Sequence, residues 1–159
     1  MINKGLYSSE KDDWTTPEDM IENLSCEFKW DLDVCASYPN VCERYNSIKN
    51  PARYSWHGLC WCNPPYGRSI GKWMKMARLN SQFCKAVVCL VPARTDTRWW
   101  HDNVSHAALV VFIKGRLRFG EAKTSAPFPS AFVVFGDGLS ESQINKLAGY
   151  GIAYRTGEQ

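Results

Sequence analysis

Short apolar runs alternate along this chain with apolar positions spaced at helical intervals, and that punctuation predicts an α/β domain. Leu59-Cys60-Trp61-Cys62 reads as a buried strand. Ile70, Trp73, Met74 and Ala77 then recur at helical spacing within 69–80, while Lys72, Lys75 and Arg78 form a solvated helix face. The uninterrupted run Ala86–Val91, closed by Pro92, predicts a central parallel strand buried on both faces. Two more strands are expected over 107–113 and 131–135. Between them lie a basic segment, 114–120, and a mobile proline-containing loop, 121–130, so the two strands read as an antiparallel pair at the sheet edge. Ser140 can cap a short helix over 141–148, and 149–154 adds a last strand.

The first third of the chain is less regular. Residues 1–13 read as a polar arm. Thr16 suits an N-cap, Pro17 the first helical position, and Glu18 and Asp19 the positive end of a helix whose apolar face is Met20, Ile21 and Leu24. The turn Trp14-Thr15-Thr16-Pro17 is then either an ordinary helix start or an exposed contact for a ligand. Phe28–Ala36 alternates as a strand with Trp30, Leu32 and Val34 on one face, and Asp33 falls near its end, followed by the small residues Cys35-Ala36-Ser37. Residues 38–56 read as an irregular connection with at most a short strand near 45–48.

Composition narrows the function classes. With 159 residues and 45% apolar content, one globular domain over 1–159 is expected. Aromatics make up 13%, including seven Trp, more than such a core needs, and the surplus suits flat ligands. A net charge of +3 permits a nucleic-acid partner. No apolar run approaches the length of a membrane span or a signal core, and seven Cys, an odd number, suit a reduced cytosolic compartment. Cys60-Trp61-Cys62 would need partners such as Cys35, Cys42 or His57 to hold zinc. Without paired Cys-x-x-Cys spacing, these thiols read as small core residues, and no metal is expected.

The most informative stretch is Asn63-Pro64-Pro65-Tyr66, a polar amide, two rigid prolines and an aromatic ring beyond a strand's carboxyl end. Ligands of open α/β sheets bind at that position. The prolines lack N–H groups, so the loop offers acceptors: the Asn63 side chain and the Pro64 carbonyl can both face one point. Such a site receives the N–H groups of something planar, with Tyr66 available to stack on it. There is no Gly-x-Gly-x-x-Gly, which argues against a pyrophosphate-bearing cofactor. On the same rim, 93–101 carries Arg94, Thr95, Asp96, Arg98, Trp99 and Trp100 beyond the 86–91 strand. This segment either contacts nucleic acid or starts a helix.

Asn-Pro-Pro-Tyr after a strand resembles the catalytic motif of S-adenosylmethionine-dependent amino methyltransferases. Thr15-Thr16-Pro17 and Leu32-Asp33-Val34-Cys35-Ala36 look like that family's cofactor segments. Together with 92–97, Gly115-Arg116-Leu117-Arg118-Phe119 and Ala126-Pro127-Phe128, the pattern is similar to the small phage-encoded DNA adenine-N6 methyltransferases. The resemblance implies a Rossmann-like class I methyltransferase fold, reduced in size, with a mostly parallel sheet and antiparallel edge strands. It implies methyl transfer from S-adenosylmethionine to the N6 amine of a flipped-out adenine in double-stranded DNA. Asn63, Pro64, Pro65 and Tyr66 would be catalytic, with Tyr66 stacked on the base. Trp14, Thr15, Thr16, Pro17, Asp31, Asp33, Cys35 and Ala36 would hold the cofactor. Arg68, Arg94, Thr95, Asp96, Arg98, Trp99, Trp100, Arg116 and Arg118 would face DNA, giving a short or relaxed recognition site. The chain departs from the pattern in one place: 44–56 contains no Asp or Glu to hold the cofactor ribose. A phage- or prophage-encoded enzyme of the bacterial cytoplasm, monomeric or homodimeric, is expected. The competing readings are a methyltransferase of protein glutamine or RNA, and a nucleic-acid-binding protein without catalysis.

Overall fold

In the computed structural model, residues 14–156 are described; the expected polar arm lies outside them. In chain order the elements are α1 (Glu18–Ser25), β1 (Leu32–Asp33), β2 (Gly58–Cys62), α2 (Ile70–Asn80) with a 3₁₀ turn (Ser81–Phe83), β3 (Cys84–Pro92), α3 (Arg98–Val104), β4 (Leu109–Ile113), β5 (Ser130–Phe135), α4 (Glu141–Ala148) and β6 (Gly151–Arg155). The strands form one six-stranded sheet in the order β1-β2-β3-β5-β4-β6.

The sheet is mixed and mostly antiparallel, which corrects the expected mostly parallel one. β1–β2 and β2–β3 are parallel, whereas β3–β5, β5–β4 and β4–β6 are antiparallel. A buried apolar run reports burial on both faces, not strand direction, and β3 has a parallel neighbour on one side and an antiparallel one on the other. β4 and β5 do pair antiparallel, but β5 lies inside the sheet and β6 is the edge.

This topology gathers one rim. The carboxyl ends of β1, β2 and β3 lie there. Antiparallel pairing adds the start of β5, because Pro92 sits opposite Ser130, and the end of β4, because Phe112 sits opposite Ala131. The tetrapeptide, the 93–97 turn and both ends of the β4–β5 connection therefore share one edge. Ala93 N–H donates to the Pro129 carbonyl at 2.9 Å and ties two of them together.

Alternating side chains cover both faces. On one, Trp61 and Phe132 meet edge to face at 6.3 Å, with Trp30 and Tyr150 packed around them. On the other, Phe112 is stacked by Trp100 of α3. α2 and α3 approach closely at Gly71, where an added Cβ would lie 3.2 Å from that of Trp99, and Arg78 Nε donates to Asn103 Oδ1 across them. α4 starts on a capping box between Ser140 and Gln143, and Gln143 Nε2 donates to the Glu27 carbonyl, docking this helix beside α1.

Local expectations are adjusted in three places. Pro17, with ψ at 134°, is the N-cap of α1, and Thr16 lies outside the helix with its hydroxyl turned to other use. The alternating segment 28–36 has only two residues in β1, since its outer neighbour is irregular and pairs through a single bridge, Asp33 with Tyr45. The 121–130 loop is anchored at its far side by buried Ala126 and Phe128, and Ala126 N–H donates to the Leu117 carbonyl. Among the described residues, no helix is long and apolar enough to cross a membrane.

Candidate active site

Asn63 follows β2 directly, half-buried, with Pro64 buried behind it. Its amide is fully engaged. Nδ2 donates to the Trp14 carbonyl at 2.6 Å and to Thr16 Oγ1 at 3.0 Å, and Oδ1 accepts from the Tyr66 hydroxyl at 2.7 Å. The network fixes which amide atom is which. A reversed amide would set Oδ1 against the Trp14 carbonyl, acceptor against acceptor. The carbonyl oxygen of Asn63 has two lone pairs, and Tyr66 uses one of them.

Tyr66 is not an open stacking platform. It is 3% exposed, and burial holds its phenol well above the usual range. Its ring is closed in by Trp14, Phe119 and Phe128, with centroids at 6.4, 5.8 and 5.6 Å. The hydroxyl reaches Leu90 O at 3.0 Å as well as Asn63. Phe119 and Phe128 come from the two ends of the β4–β5 connection, and Gly120 N–H donates to the Thr15 carbonyl at 2.9 Å. This aromatic cluster is the structural reason for the isolated phenylalanines in an otherwise polar loop. Only that isolation signalled them in the sequence.

A cleft opens beside Asn63. Trp14, Thr15, Thr16, Asp33, Cys35, Ala36, Asn63 and Pro65 line it, together with Ser37, Tyr38, Asn40 and Ile48. Six of the eight residues expected at a cofactor site therefore meet in one place. Pro17 is buried beneath them. Asp31 is not there: its Oδ2 accepts from Leu59 N at 2.8 Å near the start of β2. Gly58 has φ of +62° and passes so close that any side chain would collide with the Asp31 carboxylate. Nor is the Trp14–Pro17 turn exposed; Thr16 and Pro17 are buried and Trp14 is half-buried in the aromatic cluster.

Asp33 is the distinctive charge of the cleft. It is 2% exposed, and burial pushes its pKa up to about 7 against the opposing effect of the Cys35 N–H, which donates to Oδ1 at 3.1 Å. Among the described residues, no lysine or arginine lines the cleft. A buried carboxylate with no cation beside it suits a ligand that brings its own positive charge. The segment without acidic residues contributes Ile48 to the cleft, and the preceding turn contributes Asn40 and Tyr38, polar and apolar groups that the sequence did not single out. Nearby, Arg44 and Arg53 lie over Tyr54 at 4.7 and 5.2 Å, and Asn46, fully buried, clamps Tyr54 through both its N–H and carbonyl.

The residues expected to face DNA divide. Arg68, Arg94, Thr95, Asp96, Arg98, Arg116 and Arg118 are exposed on or beside the rim. Arg94 leans over the Phe128 ring at 5.9 Å, and Arg98 pairs loosely with Asp102 at 3.4 Å. Trp99 is half-buried and Trp100 only 8% exposed against Phe112, so the Trp pair starts α3 and belongs to the core rather than to an open face. The thiols of Cys60 and Cys62 share one face of β2. Cys60 Sγ lies 3.8 Å from Cys84 Sγ, and Cys62 is buried beside Cys89, whose thiol, followed by burial, raises its pKa. Among the described residues, no three His, Cys, Asp or Glu side chains gather as a metal site.

Comparison with known proteins gives the family. The model of the DNA N-6-adenine-methyltransferase (Dam) family matches residues 4–134. A DNA N-6-adenine-methyltransferase of Escherichia phage T1 is 32% identical over 115 residues, covering 67% of this chain and 47% of the relative. Another, of Haemophilus phage HP1 (strain HP1c1), is 29% identical over 146 residues, covering 85% of this chain and 84% of the relative. The chain thus spans about half the length of the phage T1 relative and most of the phage HP1 one. Because the family match takes in the tetrapeptide, the cleft and the loops of the rim, this chain belongs to the DNA N-6-adenine-methyltransferase family.

Proposed function

We propose that this protein transfers a methyl group from S-adenosylmethionine to the N6 amine of adenine in double-stranded DNA, after the base is flipped out of the stack. The observation that carries the reading is the juxtaposition of Asn63 with a cleft whose one buried charge, among the described residues, is the Asp33 carboxylate. When bound, S-adenosylmethionine supplies a methyl group on a sulfonium, whose C–S bonding pair leaves with the sulfur. Asp33 would hold the cofactor's ammonium, Trp14, Thr15 and Thr16 would form one wall, and Cys35 and Ala36 would allow close approach. Asn40, Tyr38 and Ile48 are the groups available for the nucleoside end, in place of an acidic residue.

The adenine amine is a weak nucleophile because its lone pair is delocalised into the ring. Asn63 Oδ1 and the Pro64 carbonyl would each accept one of its N–H groups and turn the lone pair toward the methyl carbon. So turned, the amine would be placed by Asn63 and Pro64 to take the methyl group that a cofactor held by Asp33 and the Trp14–Thr16 wall would supply. Alkylation makes the amine acidic, so the proton leaves to water and Asn63 need not act as a base. Arg94, Arg98, Arg116, Arg118 and Arg68 would contact phosphates along the rim, which fixes the register of the duplex without reading its bases.

The test is Asn63→Ala, assayed for methyl transfer to DNA and for cofactor binding by calorimetry. Loss of transfer with retained cofactor binding supports the assignment; retained transfer would remove Asn63 from the mechanism.

A further inference from the structure

Thr16 sits in the cofactor wall, yet its hydroxyl oxygen is turned away from α1, which it might have capped, and toward Asn63. It is 3% exposed. With the Trp14 carbonyl it takes both N–H groups of the Asn63 amide, and no other donor–acceptor pattern fits these atoms. An amide can present either a carbonyl or an NH₂ to a substrate, and only the carbonyl can receive the N–H of an amine. A carboxylate would need no such orientation.

We infer that Thr16 is a positioning residue which, with the Trp14 carbonyl, sets Asn63 with its acceptor toward the target amine, and that this chain is for that reason built around asparagine and does not accept aspartate at position 63. The inference rests on the methyl-transfer reading above. Two consequences follow from the atoms. Removing the Thr16 oxygen leaves a buried N–H unpaired and lets the amide drift from the productive orientation. Replacing Asn63 by Asp sets a carboxylate oxygen 2.6 Å from the Trp14 carbonyl oxygen, so the stronger acceptor is the worse fit. The same segment bounds the cofactor cleft, so one element shapes both the cofactor wall and the acceptor.

The experiment measures kcat, KM for DNA, cofactor Kd and thermal midpoint for the wild type, Thr16→Val, Thr16→Ser and Asn63→Asp. Loss of one buried hydrogen bond at the reacting group predicts that Thr16→Val lowers kcat about tenfold while cofactor Kd moves less than about threefold. Thr16→Ser, which keeps the oxygen, recovers most of that loss. Asn63→Asp falls at least as far as Thr16→Val. A Thr16→Val enzyme with wild-type kcat, a Thr16→Ser enzyme as slow as Thr16→Val, or an Asn63→Asp enzyme as fast as wild type each overturns the inference. A purely structural role would lower the thermal midpoint and leave kcat per folded molecule unchanged. A wild type that binds cofactor but methylates no DNA instead overturns the reading beneath it.

Discussion

The Tyr66 hydroxyl lies 2.7 Å from Asn63 Oδ1 and 3.0 Å from the Leu90 carbonyl oxygen. A phenol has one proton, so it can donate fully to only one of them. In the free protein the bond to Asn63 takes one of its two lone pairs and leaves the other open. Tyr66 thus braces the Asn63 amide, and its ring holds the aromatic cluster of Trp14, Phe119 and Phe128.

Tyr66→Phe separates this role from stacking. Phenylalanine keeps the ring and removes the proton, so a stacking role predicts near wild-type rates. Loss of one buried hydrogen bond at Asn63 instead predicts a fall in kcat of about tenfold with the fold retained, read by steady-state kinetics and near-ultraviolet circular dichroism.

Asp33 gives the site a pH dependence. Its pKa is raised to about 7 by burial, so the carboxyl is neutral in the free protein below that pH and ionised above it. A cationic cofactor prefers the ionised form, so its affinity should rise from pH 6 to pH 8 and then level off. Asp33→Asn should weaken binding and flatten the profile. For stability the sign is opposite. The folded state binds the proton more tightly than the unfolded chain, so Asp33 stabilises the fold at low pH, and this contribution is lost as pH rises from about 4 through about 7. Thermal melts with and without cofactor across that range check both statements, and the shift on ligand addition should be larger at pH 8 than at pH 6.

Phe119 and Phe128 close the cluster from outside the tetrapeptide. Phe128→Ala removes a buried ring, and a cost of about 3 kcal/mol in denaturant unfolding is expected. Because the cavity opens beside Tyr66, kcat should fall as well in the fraction that remains folded.

Much of the site was legible before the fold because its pieces are local. The strand end, the two prolines and the following helix announce Asn63, and small residues after Asp33 announce a close approach. What was not legible depends on partners distant in sequence. Phe28–Ala36 alternates correctly, but a strand also needs a neighbour, and residues 38–56 supply one bridge. Trp14 and Thr16 looked exposed because their cover, Phe119, Phe128 and Asn63, lies 47 or more residues away in the chain. Trp100 looked like a stacking residue because its partner, Phe112, belongs to β4, in another part of the chain. Asp31 was expected with Asp33 at the cofactor, yet its carboxylate accepts from Leu59 N–H and packs against Gly58 at the start of β2. Strand direction was the largest miss, since burial patterns are the same for both directions.

The exposed arginines of the rim should act additively on DNA. Arg116→Ala and Arg98→Ala should each weaken binding similarly across sequences and reduce the slope of log affinity against log salt by about one, as expected for loss of a single phosphate contact. Unchanged affinity and slope in both variants would remove this rim from the DNA interface.

The most direct measurement is transfer of labelled methyl groups from S-adenosylmethionine to unmethylated double-stranded DNA, followed by nucleoside analysis. The account predicts label in N6-methyladenine, with none in the Asn63→Ala protein. Label in cytosine, or label in RNA or protein with none in DNA, would contradict it.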